Sequence, residues 1–472
     1  MSFTSLIFVF CFLPVSLLLY YATRGNKLVL ILVSLFFYAG SDPAHFLLLL
    51  LLSFATVFLC FGIESALGSG TKRTARLLLV FGAALNVLVL LFFKDFLFFR
   101  AAFSRLTGLE LSAESLLFPL GLSFYTFKAI SLLADTYREK IALRGSVGNG
   151  LLYLTFFAHI QSGPILRYND MLAEPAEPLL SLDSLSAGIE RFAVGFSKKV
   201  LLADTLSRIV SEVYGKAPSE LTAAYAWLGA VCFSLQLYYD FSGYSDMAIG
   251  ISNMFGYRCP ENFSHPYMTR SISDFWRRWH ITLGFWFRDY VYIPMGGSRV
   301  STPRLYLNLF VVWLLTGIWH GTSWNFIAWG LGYFVLIAAE KTLRLPERLR
   351  AKPLKAAYRI LCLLIINAQW VLFRAPGLRY GLSFLYSMLG RYRDKLTDLR
   401  ALFLLRDNLV FFLAAVVLCF PVRSALEGLC SRFRGGSKLC SVLVSAVVIL
   451  CFLASVTFLV SGSNNPFMYA NF

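Results

Sequence analysis

Apolar runs of about 20 residues recur from one end of this chain to the other, and a helix of that length spans the ~30 Å hydrocarbon core of a bilayer. Hydrophobic residues make up 58% of the 472 positions, whereas soluble domains average roughly half. Within lipid, each backbone N–H and C=O must be satisfied inside the spanning element, so runs of this length form helices. The sequence therefore predicts an all-α, polytopic integral membrane protein with a single membrane domain over residues 1–472.

The net charge of +17 does not indicate a nucleic-acid partner. Most cations lie between apolar runs, where membrane topology and anionic lipid account for them, and no DNA- or RNA-binding module is visible. The nine cysteines are scattered without CxxC or metal-ligand spacing, so no metal site is expected. The first apolar run, Phe3–Tyr21, lacks a basic n-region and a small-residue cleavage site, and we expect it to be retained as a span.

About twelve transmembrane helices are expected, with re-entrant and amphipathic helices around a central funnel. The predicted spans are Phe3–Tyr21, Leu28–Ala39, Phe46–Ile63, Leu77–Phe93, Leu116–Leu133, Ala223–Phe241 with Ser245–Phe255 as a continuation or re-entrant piece, Leu305–Trp319, Phe326–Ala339, Leu361–Phe373, Leu409–Phe420 and Val442–Val460. Leu151–Ile160 is too short to span and is expected to be re-entrant, and Ile189–Val210 is amphipathic. The polar and aromatic segment Ser271–Pro294 is tolerated at membrane depth only if protein or water covers it.

The distribution of Lys and Arg predicts the orientation in the membrane. The loops Arg24–Lys27 and Lys72–Arg76 are basic and two spans apart, which places both in the cytoplasm and the N-terminus outside. The segment before the last span is also basic, whereas Ser461–Phe472 contains no Lys or Arg. Residues 441–472 are therefore expected to form the last span and an extracytoplasmic tail. The basic segment Arg391–Arg406 does not fit this simple alternation.

Only five histidines occur, and two of them, His280 and His320, lie among Trp, Phe and Gly residues. A histidine at membrane depth usually faces an interior cavity and acts there. Imidazole suits acid–base catalysis near neutral pH, and an apolar tunnel favours its neutral, basic form. Such a base can deprotonate a hydroxyl that attacks a thioester or ester. The alternative is an interhelical hydrogen bond, and function is favoured over it more strongly for His320 than for His280.

Three arginines, Arg277, Arg278 and Arg288, lie in the same polar segment as the first of these histidines. A guanidinium group binds phosphate or carboxylate in bidentate fashion, which makes the three candidates for binding the phosphates of a cytoplasmic donor. Equally, they could extend toward the interface or pair with Asp274 and Asp289. The sequence does not decide between these interpretations.

Several long stretches of the chain follow one another in a specific order. They are PLGLSFYTF (Pro119–Phe127), SGPILR (Ser162–Arg167), YYDFSGYSDMAIG (Tyr238–Gly250), PENFSHPY (Pro260–Tyr267), FWRRWHITLGFWFRDYVYIPMGG, WHGTSWNFIAWG (Trp319–Gly330) and NPFMY near the end. Together they resemble the membrane-bound O-acyltransferase family, in the branch that contains bacterial alginate O-acetylation membrane proteins. In that family the histidine of the WHG motif is catalytic, so the resemblance assigns catalysis to His320 and makes His280 the second histidine.

The resemblance implies an acyl relay across the bacterial plasma (inner) membrane. A cytoplasmic acyl thioester, acetyl-CoA above all, is the expected donor, and no bound cofactor is expected. An extracytoplasmic, serine-dependent acetyltransferase partner would receive the group and modify a cell-envelope polysaccharide or exopolysaccharide. The tail PFMYANF would carry Tyr469 as the acyl relay, because a phenyl ester keeps enough free energy for onward transfer. The alternative for Tyr469 is an interfacial aromatic anchor.

Two other functions remain open at this point. A transporter or flippase of lipid-linked sugar would also use broken, polar helices at the membrane midplane, but it predicts paired repeat halves that are not found. A non-catalytic scaffold of a polysaccharide machine is the third. Alginate, another exopolysaccharide, peptidoglycan and a teichoic polymer all remain possible acceptors.

Overall fold

The structure is a computed structural model that describes residues 1–94, 96, 117–143, 145–172, 180–345, 347–393, 396–432, 436–462 and 467–468. Every regular element within these residues is a helix, and no strand occurs among them. This confirms the predicted all-α class.

The helices of the first half of the chain are as follows. They are the π-helical turn Phe8–Phe12, α1 (Leu13–Ala22), α2 (Lys27–Ser41), the 3-10 turn Pro43–His45, α3 (Phe46–Gly68), α4 (Lys72–Lys94), α5 (Leu122–Tyr137), α6 (Val147–Thr155), α7 (Phe157–Ile160), α8 (Tyr168–Met171), α9 (Leu182–Ser197), the π-helical turn Lys198–Ala203, α10 (Asp204–Tyr214), the 3-10 turn Pro218–Glu220 and α11 (Ala223–Met254).

The second half contains further helices. They are the 3-10 turn Pro266–Met268, α12 (Ile272–Trp276), α13 (Ile281–Phe287), the π-helical turn Arg288–Tyr292, α14 (Thr302–His320), α15 (Trp324–Leu343), α16 (Lys352–Arg374), α17 (Leu378–Met388), α18 (Leu399–Asp407), α19 (Leu409–Val417), α20 (Val422–Cys430) and α21 (Gly436–Val460).

The described residues pack into two compact units. The first comprises Met1–Phe192 and Met247–Pro260, and the second comprises Ala193–Asp246 and Glu261–Met468. Both histidines that the sequence singles out belong to the second unit.

Five helical segments in the described ranges are long and apolar enough to cross a bilayer by themselves. They are Pro43–Gly68, Lys72–Lys94, Trp324–Leu343, Lys352–Arg374 and Gly436–Val460. The pair α19 and α20, bent by 69° at its break, makes a sixth if it is one span. Other spans among the roughly twelve predicted ones fall outside this set. The apolar segments Phe8–Ala22 and Lys27–Ser41 are short, and α11 and α14 carry buried polar residues such as Asp240 and Asn308.

The structure resolves two points at which the sequence left the course of the helices open. The predicted spans Ala223–Phe241 and Ser245–Phe255 form one continuous helix of 32 residues, α11. The short run Leu151–Ile160 is interrupted at Phe156, between α6 and α7. Close by in the first unit, Gly121 precedes α5 with φ 71°, and a side chain there would overlap the carbonyl oxygen of Ile160. Only glycine therefore fits this turn.

Within the second unit, α14 and α15 form a hairpin whose backbones touch. A Cβ at Gly330 would lie 2.5 Å from the carbonyl oxygen of Trp313, and one at Gly317 would lie 2.8 Å from that of Phe326. Small residues at facing positions let membrane helices approach this closely. The contact fixes the C-terminal end of α14, where His320 lies.

Candidate active site

His280 occupies the position before the first residue of α13, and its side chain is buried. Its backbone has φ 45° and ψ 53°, in the left-handed region that residues other than glycine rarely adopt. The imidazole stands edge-on to the ring of Phe241, with 4.7 Å between centroids. Backbone strain of this kind persists only where surrounding contacts impose it, and it clusters at active sites and ligand clamps.

Asn262 determines which nitrogen of His280 carries the proton. Thr282 donates to Oδ1 of Asn262 from its backbone N–H (3.2 Å) and from its hydroxyl (2.9 Å), while Nδ2 of Asn262 donates to Ser245 Oγ (3.1 Å). Oδ1 is therefore the atom that accepts from Nδ1 of His280, at 3.1 Å. With the proton on Nδ1, Nε2 is the acceptor nitrogen of the ring. Burial lowers the pKa of His280 to about 3, so the imidazole is neutral and basic near pH 7.

His320 is the last residue of α14, and its side chain is also buried. Its ring centroid lies 5.1 Å from that of Trp329 on α15 and 5.0 Å from that of Phe373 on α16. Asn325, in the first turn of α15, donates to the carbonyl oxygen of Ala375 at 2.9 Å and so satisfies an acceptor at the end of α16. The ring of His320 is thus held where the end of α14 meets α15 and α16.

The two imidazoles lie close together because both contact the same indole. The centroid of Trp319 lies 6.4 Å from that of His280 and 4.4 Å from that of His320, so the two imidazole centroids are no more than about 11 Å apart. Both side chains are buried, although forty positions separate the two residues in the chain.

A cavity of about 220 Å³ reaches His280. Its walls come from α12, α13, the following turn and α14, and they consist of Trp276, Trp279, Leu283, Gly284, Phe287, Tyr292, Leu309, Val312 and Trp313, with Thr316 and Arg288 as polar members. The volume is below the ~300–1,000 Å³ of typical drug-sized ligand sites. The cavity therefore suits a short acyl chain better than a nucleotide or a sugar.

Glu340 on α15 holds the start of α12 and thereby one wall of this cavity. Its buried carboxylate accepts from the backbone N–H groups of Ile272 (2.6 Å) and Ser273 (2.9 Å), from the Ser273 hydroxyl (2.6 Å) and from the Tyr358 hydroxyl (2.6 Å). A carboxylate in this position satisfies helix-terminal N–H groups that have no partner within their own helix. Trp276, at the end of α12, is fixed by the same anchor.

The three candidate arginines lie in different environments. Arg278 donates from Nε to Asp274 Oδ2 at 3.1 Å, and Arg288 donates to both carboxylate oxygens of Asp289, at 2.7 and 3.2 Å. These are the pairs that the alternative interpretation named, yet the Arg288 side chain remains 49% exposed and lines the 220 Å³ cavity. Arg277 is exposed and lines a different cavity.

This second cavity, of about 570 Å³, is predominantly cationic. It is lined by Arg270, Arg277, Lys355 and Arg359, by the acids Asp274 and Glu347, and by Ser271. Four cations against two acids leave a positive excess that favours an anionic ligand. Trp276 lines the first cavity and its neighbour Arg277 lines the second. The C-terminal end of α12 therefore places its last residue, Trp276, at an apolar cavity and the following residue, Arg277, at a cationic one.

The predicted acyl relay, Tyr469, lies outside the described residues. The two residues before it are described: Phe467 is buried, with its ring 5.1 Å from that of Tyr244, and the backbone N–H of Met468 donates to Asp240 Oδ2 at 2.9 Å. Among the residues that the structure describes, no group of three or more His, Cys, Asp or Glu side chains is arranged to hold a metal ion.

Sequence reasoning did not single out Asn262, Glu340, Arg270, Lys355 or Arg359. Asn262 lies in a loop, where an amide ordinarily caps a turn, and Glu340 ends an apolar run, where a charge ordinarily marks the interface. The signal available for Glu340 was a lone acid at the end of a span; such groups need a partner when they are buried. Arg270 precedes α12, whereas Lys355 and Arg359 lie on α16, and only the fold brings them to one cavity.

The sequence of the chain matches a known protein family. A sequence profile of the membrane-bound O-acyltransferase family (MBOAT) matches residues 35–385, about three quarters of the chain. The chain belongs to this family, and it is an integral membrane acyltransferase. This confirms the predicted family and enzyme class, and it favours catalysis over the transporter and scaffold interpretations.

Three relatives illustrate the range of the family. The chain is similar to a Pseudomonas putida protein named "Probable alginate O-acetylase AlgI", at 36% identity over 504 residues and 100% of both chains. It is similar to the peptidoglycan O-acetyltransferase of Helicobacter pylori, at 34% identity over 82% of this chain and 80% of the relative. The teichoic acid D-alanyltransferase of Bacillus subtilis is 30% identical over 46% of this chain and 58% of its own length.

Proposed function

We propose that this acyltransferase transfers an acetyl group from a cytoplasmic thioester toward a hydroxyl of a cell-envelope polysaccharide, as a multi-pass protein of the bacterial plasma (inner) membrane. The observation that carries the proposal is the pair of buried imidazoles within about 11 Å of each other, one of them facing a small apolar cavity. A short acyl chain fits that cavity, and a neutral imidazole is the base that acyl transfer to a hydroxyl requires.

The reaction exchanges a thioester for an ester. His320 takes the proton of the attacking hydroxyl, the hydroxyl oxygen bonds to the acyl carbon, and the C–S bond breaks. The leaving thiolate then takes up the proton, so the products are the O-acyl ester and the free thiol. His280 presents Nε2, because Asn262 holds the proton on Nδ1, and it orients the reacting group or shares its proton. Removal of a general base typically costs ~10²–10⁴-fold in rate.

The cationic cavity is the proposed site for the phosphates of the donor. Acetyl-CoA is polyanionic at its nucleotide end and short and apolar at its acyl end. The 570 Å³ cavity with its positive excess suits the first, and the 220 Å³ aromatic cavity suits the second. Guanidinium groups bind phosphate in bidentate fashion. Because Arg277 lines the cationic cavity, it is the member of the predicted trio that we propose for this role, together with Arg270 and Arg359.

The acceptor side of the proposal rests on the relatives. Their names describe O-acetylation of alginate and of peptidoglycan and D-alanylation of teichoic acid, all of them polymers of the bacterial envelope or exterior. We extend to this chain an extracytoplasmic polysaccharide acceptor and a serine-dependent acetyltransferase partner. Tyr469 is the proposed intermediate carrier between His320 and that partner.

Replacement of His320 by Ala tests the catalytic proposal. We expect polymer acylation to fall by about 10²–10⁴-fold, with wild-type abundance of the protein in the membrane. His45→Gln is the matched control, because His45 is hydrogen-bonded to Asp42 in the other unit and should leave transfer unchanged. Acylation by the His320→Ala variant at the wild-type rate would refute the mechanism.

Tyr469→Phe tests the carrier separately, since it keeps the aromatic ring and removes the nucleophilic oxygen. We expect it to stop transfer to polymer while donor binding, measured with acetyl-CoA, stays at the wild-type level. Wild-type acylation in this variant would reduce Tyr469 to an anchor and would leave the partner's serine to receive the acyl group directly.

A further inference from the structure

A buried ionic cluster lies beside the last described residues of the chain. The ammonium group of Lys199 contacts Asp204 Oδ1 at 2.7 Å and Asp240 Oδ1 at 2.6 Å, and all three side chains are at most 3% exposed. Lys199 lies within the π-helical turn Lys198–Ala203, and single π-helical turns of this kind are frequent at functional sites. Burying three charges adds little stability on balance, but it can impose one specific arrangement.

The tail peptide, Phe467–Met468, is bound by this cluster. The backbone N–H of Met468 donates to Asp240 Oδ2, the second carboxylate oxygen, at 2.9 Å. The ammonium of Lys199 lies over the Phe467 ring at 4.9 Å from its centroid, in cation–π geometry. Phe467 also contacts Tyr244: the two rings meet edge-on, with 5.1 Å between their centroids. A backbone bond, a cation and an aromatic ring therefore fix the tail peptide together.

The same stretch of α11 also holds His280. Asp240 and Tyr244, one helical turn apart, contact the tail peptide. Phe241 and Ser245, also one turn apart, contact His280 and its partner Asn262. The Phe241 ring lies 4.7 Å from the imidazole, and Ser245 accepts from Asn262, which in turn fixes the imidazole proton. Two adjacent faces of one helical turn thus hold the tail peptide and the catalytic imidazole in fixed relation.

We propose that Lys199, Asp240 and Tyr244 form a seat for the tail peptide, and that the seat positions the peptide relative to His280 for the acceptor half of the reaction. Asp240 is then a positioning residue that acts through the peptide and through α11. The inference rests on the proposed function, because it presumes that the histidine pair performs the transfer. The inference adds that the tail peptide, which lies far from both histidine motifs in the sequence, must be bound in its seat for turnover.

Phe467→Ala in the full-length purified protein tests the seat, with two readouts. Without the Phe467 ring the tail peptide should leave its seat, so the backbone N–H of Met468 no longer donates to Asp240. Hydrogen exchange at the peptide that contains Met468 should therefore become faster. The kcat for acyl transfer should fall by about 10- to 100-fold, as displacement of a reacting group by about 1 Å can cause, while KM for acetyl-CoA stays at the wild-type value. Phe467→Leu, which keeps the apolar bulk, should retain most of the activity.

Phe458→Ala is the matched control, because it removes the same side chain from α21, where Phe458 pairs with Phe411. An equal loss of kcat in this control would show general destabilisation and overturn the inference. So would exchange at Met468 that is as fast in the wild type as in Phe467→Ala, or a wild-type kcat in Phe467→Ala.

Asp240→Asn provides a second route if Phe467→Ala fails to accumulate in the membrane. It keeps the side-chain shape and one acceptor oxygen but removes the charge that faces Lys199. Wild-type exchange and kcat in that variant overturn the inference as well. His320→Ala separates the two proposals: if it transfers normally, the proposed function fails, and if it is inactive while Phe467→Ala is normal, only the seat fails.

Discussion

Gly330 is the position at which one methyl group tests how strictly the fold places His320. A Cβ there would lie 2.5 Å from the carbonyl oxygen of Trp313 and 3.1 Å from the Cα of Gly317, and both contacts are to backbone. Ordinary van der Waals contact begins at 3.4 Å, so the substitution Gly330→Ala is short of space by about 0.9 Å. No side chain can turn away to relieve it, and α14 and α15 must separate.

The expected effect on catalysis follows from that distance. Gly317 lies one helical turn before His320, so a displacement of the α14 backbone there is transmitted to the imidazole. Misplacement of a reacting group by about 1 Å can cost ~10²-fold in rate. Overpacking of a filled interior costs about 1–3 kcal/mol of folding free energy. We therefore expect kcat for acyl transfer to fall by about 10²-fold, with a lower unfolding temperature.

Gly332→Ala is the control on the same helix. Its Cβ would meet Nε2 of Gln369 at 2.5 Å, but this atom is the end of a flexible side chain that can move. The assay is transfer of labelled acetyl from acetyl-CoA to polymer in membranes, with unfolding of the purified protein followed in detergent. Near-wild-type transfer by Gly330→Ala, or the same loss in Gly332→Ala, would refute the claim that backbone contact positions His320.

Three further predictions concern the site. Asn262→Ala should lower kcat by about 10-fold or more, because the proton on His280 is no longer held on Nδ1; the effect of a wrong tautomer can reach ~10⁴, and a wild-type kcat would contradict it. Arg277→Gln combined with Arg359→Gln should raise KM for acetyl-CoA with little change in kcat, and an unchanged KM would show that the cationic cavity does not bind the donor. Finally, the pKa of His280 is about 6.5 in the unfolded chain and about 3 in the folded protein. The unfolded state therefore binds the proton more tightly, and the free energy of unfolding should fall by up to about 1.4 kcal/mol per pH unit below pH 6.5. His280→Asn should flatten this pH dependence in thermal melts.

The sequence alone predicted the class and the helical fold, and it singled out both histidines as site candidates. Long apolar runs form helices in lipid, and few ionisable residues lie among the aromatic residues of such a chain. The sequence around each histidine, however, does not predict that His280 and His320 lie close together in the fold. Their proximity depends on Trp319, which contacts both rings, and on the helix hairpin behind it.

Residues that hold the site in place were harder to predict. Asn262 and Glu340 act through partners 18 and 68 positions away, and no periodicity marks them. Run length alone does not separate a wholly apolar helix such as α21 from α11 or α14, which carry buried polar groups. The cationic cavity was equally hard to predict, because Lys355 and Arg359, which line it together with Arg277, lie far along the chain on α16.

The backbone contact between α14 and α15 has a consequence for how such a scaffold can diversify. His320 takes its position from main-chain atoms at Gly317 and Gly330, whereas the walls of the neighbouring cavity are side chains such as Trp276 and Trp313. The contact that positions His320 is therefore independent of the side chains that shape the cavity. A scaffold built in this way allows the cavity to change while the position of His320 stays the same. The relatives of this chain are named for alginate, peptidoglycan and teichoic acid, which are different polymers.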